Sequence, residues 1–270
     1  MFFNLFKKKE QKKDIQKKLE TMIAMVPLNE SYLPDIVQIE EFFTNQLHEN
    51  IKLDNINKND TVTMFNFKGE KFFYTLMPAS IPWGELEGPC ATAWYWPEAS
   101  ELMRKQTAHI IISILPNPNS SLTLIDKAIL LSKVTAAILY NTNSIGVYWG
   151  SGTVVNSKDV FIQKISDISR DNLPFELWID LRLQRTKNDS FQFFTTGMKS
   201  FGHKEIEIRD SKMEGNEIFN FIHNIIGYLL ENGPVIKDGD TIGGDENQKI
   251  RVKYGKSMWD ATQDVMIIQC

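Results

Sequence analysis

Apolar residues near the start of the chain follow first a strand pattern and then a helix pattern. The continuous run TMIAMVPL (21–28) predicts a buried strand. Residues 32–47 predict a helix with one core face, with Ser31 as its N-cap. Its core positions recur at helical spacing: Ile36, Ile39, Phe43 and Leu47.

Polar and proline-rich stretches separate the next elements. The Asn-rich stretch 50–60 predicts a loop, and 61–79 predicts two strands joined at a Lys-Gly turn. Three prolines within residues 77–89 predict an irregular loop, a kind of segment that often carries function. A short helix over 98–104 and a β-branched strand over 109–116 complete this half.

The second half repeats the mixture of helices and strands. Residues 122–140 predict a long helix capped by Ser120 or Ser121, and 216–233 predict a second long helix that stops at Gly233. Residues 158–169 are weakly helical, and 176–197 alternate as a hairpin does. Single strands are expected at 144–150, 203–210, 249–255 and 264–270.

The fold class that follows is α+β. The order βαββαβ over residues 21–116 is the connectivity of the ferredoxin-like unit, and 117–270 would form a second α+β layer with antiparallel strands and two long helices. No low-complexity linker separates the halves, so we expect one continuous domain. Residues 1–20 form a basic tail that we expect to be flexible.

Charge divides the chain into a basic tail and an acidic body. The net charge is −4, yet the first twenty residues carry seven lysines against only three carboxylates. An acidic body argues against nucleic acid as the partner and suits a basic protein. The apolar start and lysines of residues 1–18 would allow weak contact with an anionic membrane.

Cysteine content and hydropathy point to the cytoplasm. Cys90 and Cys270 are the only cysteines, too few for a disulfide framework. No run approaches the roughly 18 apolar residues of a membrane-spanning helix. At the N-terminus the apolar residues precede the charges, the reverse of a secretory signal.

A search for chemistry gives only weak catalytic candidates. His109 opens a strand, where a histidine is more often packed than catalytic, and Glu98 stands eleven residues before it without fixed geometry. No zinc, hydrolase or phosphate-loop motif is present, so the sequence indicates no cofactor. In DGDTIGGDENQK (238–249) a calcium loop would need oxygen ligands at Ile242 and Lys249, so we expect a turn whose aspartates bind backbone amides.

An aromatic cluster is the candidate partner-binding surface. Trp94, Tyr95 and Trp96 are consecutive, and Trp83 lies just upstream. Aromatic residues concentrate at binding hot spots, although core filling is the commoner role. Three consecutive aromatic residues cannot all face one side of a helix or strand, so at least one should be partly exposed.

Three segments resemble a known family when taken together. They are residues 77–114, then LWIDLRLQR with FFTTGMKSFGHKEIEI, then DGDTIGGDENQKIRV. This combination resembles the bacterial family called domain of unknown function 4261, over roughly residues 22–270. In that family's pattern a first histidine stands three positions before the second, and this chain has Gln106 at the first position and His109 at the second.

The resemblance implies no activity. Members are similar to proteins found near toxin and secretion loci, which implies an immunity or accessory binding role. The leading hypothesis is therefore a non-catalytic protein that binds another protein, such as a basic toxin, and neutralises it. One alternative is an enzyme with a site around His109, Glu98 and the 77–89 loop. Another is a peripheral membrane adaptor that acts through residues 1–18.

Overall fold

Two β-sheets organise the chain in the computed structural model, which describes residues 22–243 and 249–270. The first sheet has seven strands in the order β2-β3-β4-β5-β1-β6-β7, all paired antiparallel. Its strands are β1 (Ile23–Leu28), β2 (Asp54–Lys58), β3 (Val62–Phe67), β4 (Glu70–Met77), β5 (Ala108–Ile114), β6 (Gly146–Trp149) and β7 (Val154–Ser157).

The second sheet has six strands in the order β11-β12-β13-β10-β9-β8. One pair within it, β10 with β13, is parallel, whereas the other pairs are antiparallel. Its strands are β8 (Asp180–Arg185), β9 (Phe191–Thr196), β10 (Ile206–Ser211), β11 (Thr241–Ile242), β12 (Ile250–Lys256) and β13 (Asp264–Gln269). The α+β class predicted from the sequence is therefore confirmed.

Strand order corrects two finer expectations. A ferredoxin-like unit would place β5 at the outer side of β1, whereas β5 lies between β4 and β1. This strand is buried along nearly its whole length, which suits an interior position. The division at residues 116 and 117 also fails to separate the sheets, because β6 and β7 complete the first one.

Helices cover both faces of the first sheet. On one face, α1 (Ile36–Gln46), α4 (Leu124–Tyr140) and α5 (Lys158–Ile165) share a hydrophobic core with the second sheet. On the other face, α2 (Trp83–Thr92) and α3 (Ala99–Met103) build a small separate core. A sixth helix, α6 (Gly215–Asn232), packs its buried face into the larger core. Among the described helices, none is long and apolar enough to cross a bilayer.

Helix caps differ from those expected. The first helix is capped by Asp35, whose side chain accepts from Val37 N, rather than by Ser31. The long helix α4 is capped by Thr123, whereas the Ser120 hydroxyl donates to the buried carboxylate of Glu70. In both helices the residue directly before the first turn provides the cap, and a reciprocal side chain completes a capping box.

Two predicted loops contain regular structure. The stretch 50–60 includes β2, a bulged edge strand whose residues are all exposed, so no apolar alternation marks it. The stretch 77–89 contains the start of α2, in which Pro82 is the N-cap and Pro89 lies inside the helix. Proline content is therefore a poor guide here, because the buried Leu86 and Cys90 fix the helix against the small core.

The indole of Trp178 links the two sheets. It is fully buried, and its Nε1 donates to Ser132 Oγ on α4 at 2.8 Å. Its ring lies 6.3 Å from that of Trp149 on the first sheet. The backbone around it is equally crowded, because a Cβ at Gly152 would overlap the carbonyl oxygen of Trp178. Gly152 belongs to the turn between β6 and β7, so this contact fastens the first sheet to the start of the second.

Replacing Gly152 with alanine should therefore destabilise the protein by about 1–3 kcal/mol, since the added methyl group forces the backbone apart. Gly227 is the matched control, because it lies inside α6 with open space around its Cβ position. Gly227→Ala should stabilise by roughly 0.5–1 kcal/mol. Urea unfolding of the two variants measures whether each change in the free energy of unfolding is a loss or a gain. Equal stabilities would contradict the packing described.

Candidate functional site

His109 and Gln106 both hold the segment that leads into α2. His109 is 7% exposed, and its Nδ1 lies 2.6 Å from the carbonyl oxygen of Ala79. The buried Gln106 side chain accepts from Ile81 N at 3.0 Å and donates to Ile81 O at 3.2 Å. Gln106 and His109 therefore hold residues 79–81 in place through hydrogen bonds to their backbone, and we call this arrangement the clamp.

The other catalytic candidates are not assembled around His109. Glu98 is exposed and precedes α3, and within the described residues no hydrogen bond joins it to His109. Burial raises the pKa of the Cys90 thiol to about 11, which keeps it protonated at neutral pH. In residues 22–243 and 249–270 no group of three or more metal-binding side chains is found.

The four aromatic candidates fall into two groups. Trp96 is 7% exposed and belongs to the small core, and Trp83 lies under the guanidinium of Arg104, 3.6 Å from the ring centroid. Trp94 and Tyr95 are instead 69% and 41% exposed. As expected from three consecutive aromatic residues, at least one faces solvent.

Trp94 is exposed and yet held in place. Its ring meets Tyr95 edge-on at 5.7 Å and Phe219 edge-on at 6.1 Å. The Tyr95 hydroxyl donates to Val155 O at 2.9 Å, and Phe219 belongs to α6. A neighbouring residue anchored to β7 and a residue of α6 thus fix one exposed indole. We refer to Trp94, Tyr95 and Phe219 as the aromatic patch.

A second feature is a cleft of about 240 Å³ against the second sheet. All of its lining residues except Ser151 come from β9, β10, β13 and the turns next to them. The lining is Ser151, Phe194, Thr195, Thr196, Lys199, Glu205, Glu207, Ser257, Trp259, Asp260, Gln263 and Val265. Nine of these twelve residues have polar side chains, and the apolar ones are Phe194, Trp259 and Val265.

Glu205 closes the corner between β9 and β10. Its carboxylate accepts hydrogen bonds from the backbone amides of residues 197, 198 and 199 and from Thr195 Oγ1. Gly197 allows this corner, because its φ of 120° is unfavourable for other residues. Burial raises the pKa of Glu205, and the four donors oppose that shift.

Glu207 holds the loop that forms the opposite wall of the cleft. Its carboxylate is 1% exposed and accepts from Ser257 Oγ and from Met258 N at 3.3 Å. The next residue of that loop, Trp259, lies against Phe194 with ring centroids 4.3 Å apart and the two planes inclined by 34°. A buried charge therefore positions an aromatic side chain at the surface.

The cleft was not predicted, although one signal for it was present. Ile206 and Ile208 alternate on the core face of β10, so the residues between and beside them must face the other way. Those residues are Glu205 and Glu207, two carboxylates on one face of a strand. The loop residues that complete the cleft are far away in sequence and carry no such signal.

The DGD turn behaves as the sequence suggested. Asp238 accepts from Tyr254 N and Asp240 accepts from Lys237 N, each at 2.7 Å. Gly239 between them adopts a φ of 87°. The aspartates therefore organise a backbone turn; residues 244–248 of the same stretch lie outside the described residues.

Fold and cleft together define an α+β protein with a polar surface cleft built almost wholly by its second sheet. Residues 194–269 match the family model described as Domain of unknown function (DUF4261), so this segment is similar to that family. The matched segment contains the whole cleft lining except Ser151. No curated protein and no solved structure matches the chain.

The clamp formed by Gln106 can be tested by its removal. Gln106→Ala should lower the free energy of unfolding by about 1–3 kcal/mol, because the buried amide and carbonyl groups of Ile81 lose their partner. Gln163→Ala is the control, since Gln163 is exposed on α5. Thermal and urea unfolding measure the difference; a loss no larger than that of the control would refute the clamp.

Substitution of Glu205 should lower the free energy of unfolding by a similar amount. Glu205→Gln keeps the shape but turns an amide NH₂ group toward hydrogen-bond donors, so we expect a loss of about 1–3 kcal/mol. Glu41→Gln on the exposed side of α1 provides the reference. Urea unfolding at neutral pH measures both, and a stable Glu205→Gln variant would mean that the corner does not need the carboxylate.

Proposed function

We propose that this protein is a cytoplasmic, non-catalytic binding protein whose aromatic patch docks a basic protein. The family resemblance makes a toxin the leading partner, so the protein would act as an immunity factor by covering the partner's working surface. The observation that carries the proposal is the 69% exposure of Trp94 in a position fixed by two other rings.

A fixed, exposed tryptophan suits an interface for energetic reasons. Burying its large apolar surface in a complex is favourable, and a ring already held in place loses little conformational freedom on binding. Tryptophan and tyrosine are enriched among the residues that dominate interface energies. The patch also combines Trp94 and Tyr95 with Phe219, a residue distant in sequence, so its geometry depends on the folded state.

Charge supports a basic partner. The sequence after residue 20 is acidic overall, and exposed carboxylates lie close to the patch along the chain. Glu98 stands four residues after Trp94, and Glu214 and Glu217 begin the helix that carries Phe219. Complementary charge speeds association, so raising the salt concentration should slow the binding of such a partner.

The first experiment captures proteins from the native host's lysate with residues 22–270 and then tests the purified captured protein against single variants. Trp94→Ala should weaken its binding by at least about 2 kcal/mol, which is roughly 30-fold. Tyr228→Ala is the matched control, because Tyr228 is 50% exposed on α6 but lies nine residues from Phe219, on the opposite side of the helix. Surface plasmon resonance at two salt concentrations gives affinities and association rates.

Two results would count against the proposal. Equal losses for Trp94→Ala and Tyr228→Ala would show that the patch is not the interface. An association rate that does not change with salt would show that complementary charge does not attract the partner. Thermal unfolding of both variants ensures that only folded proteins are compared.

A further inference from the structure

The cleft on the second sheet offers a binding site separate from the aromatic patch. From its residues we infer that it binds a guanidinium group, carried either by a small molecule or by an arginine side chain of a protein. The inference does not depend on the proposed function. It rests on the size of the cleft, on the ring of Trp259, over which no cation of the described residues lies, and on the balance of charge around it.

Size limits the ligand to a small group. The cleft holds about 240 Å³, less than the roughly 300–1,000 Å³ that drug-sized ligands occupy. It has an opening, because Trp259 is 41% exposed and Lys199 and Asp260 are not buried. A side chain or a molecule of similar size fits, whereas a nucleotide-sized cofactor does not.

Trp259 supplies the aromatic wall. The ring of Phe194 lies 4.3 Å from it, which fixes the orientation of the indole. Two aromatic rings of this molecule are already paired with guanidinium groups, and one of them, Phe194, is itself part of the cleft lining. Arg104 lies over Trp83 at 3.6 Å, and Arg182 lies over Phe194 at 5.4 Å. Among the described residues no cation lies over Trp259.

Acceptors outnumber cations in the lining. Glu205, Glu207 and Asp260 face a single lysine, Lys199, whose Nζ is held 2.5 Å from Gln263 Oε1. Arg209 contacts Glu207 at 3.2 Å and offsets part of the negative charge. Three carboxylates against two cations leave an excess of one negative charge, which favours a cation over a phosphate or a carboxylate.

A guanidinium group can interact with the Trp259 ring and with the carboxylates of the lining at the same time. It is planar, stacks on an aromatic face and donates several hydrogen bonds in its plane, whereas an ammonium is a compact, strongly hydrated point charge. The pair of Arg182 with Asp180, beside Phe194, already shows this combination within the molecule. On the open side of the cleft, Trp259 would supply the aromatic face and Asp260 the carboxylate for a second guanidinium group.

Isothermal titration calorimetry with the full-length chain in low salt tests the inference. The probes are agmatine, the tripeptide Gly-Arg-Gly, and Gly-citrulline-Gly, in which a neutral urea group replaces the guanidinium. We expect at least one guanidinium probe to bind, and the citrulline peptide to bind at least about tenfold more weakly than the arginine peptide. Tighter binding of the peptide would identify a protein side chain as the source, and tighter binding of agmatine a small molecule.

Variants locate the binding. Trp259→Ala should weaken it about fivefold or more, and Trp259→Phe should retain most of it, because phenylalanine keeps an aromatic face. Tyr140→Ala, a change at a tyrosine 49% exposed beside Phe42, is the control. Trp94→Ala should leave guanidinium binding unchanged, so failure of the aromatic patch and failure of the cleft can be told apart.

Three outcomes would overturn the inference. One is equal affinity for the arginine and citrulline peptides, and another is the absence of binding by either guanidinium probe at millimolar concentration. The third is a folded Trp259→Ala variant that binds as the wild type does. Thermal unfolding confirms that each variant is folded before it is titrated.

Discussion

Trp178 is the residue on which the arrangement of the two sheets depends. Its indole is buried between Trp149 of the first sheet and Phe201 beside the second, and its Nε1 has a partner in Ser132. A buried indole without that hydroxyl would leave a polar group unsatisfied. The hydrogen bond to Ser132 therefore fixes the orientation of the indole. The contacts with Trp149 and Phe201 then fix how the two sheets pack against it.

Close backbone packing around this residue extends the constraint. The carbonyl oxygen of Trp178 lies so near Gly152 and Gly197 that neither position leaves room for a Cβ. Gly152 belongs to the first sheet's last hairpin, and Gly197 begins the corner that Glu205 closes. The close contacts of the Trp178 carbonyl group therefore fix two places at once. One is the turn between β6 and β7 in the first sheet, and the other is the corner after β9 that lines the cleft.

Some of this structure follows directly from sequence pattern. The long helix α6 has regularly spaced apolar residues and a glycine stop, and it ends where the pattern predicts, with Gly233 as its cap. The hairpin of β8 and β9 likewise follows from alternation. Edge strand β2 could not be found in this way, because all of its residues are exposed. The order of strands within a sheet is set by contacts between distant segments, which explains why β5 was misplaced.

Individual site residues show the same limit. The sequence alone establishes that Trp94, Tyr95 and Trp96 cannot all be buried on one side, but it cannot say which is exposed, because Phe219 is more than one hundred residues away. The clamp role of His109 and Gln106 depends on where the 79–81 segment returns to β5. By contrast, two carboxylates on one face of β10 were visible in the alternation, and only their burial needed the fold.

Glu205 and Glu207 explain how a buried pair of carboxylates can be retained. Each accepts hydrogen bonds from backbone amides of a different turn, so neither carboxylate is left without a hydrogen-bond partner. Glu205 fixes the corner after β9, and Glu207 fixes the loop that carries Trp259. The cleft between these turns is consequently formed before anything enters it. A preformed site loses little conformational entropy on binding, and a cleft of about 240 Å³ needs that advantage because its small size limits the area that it can bury.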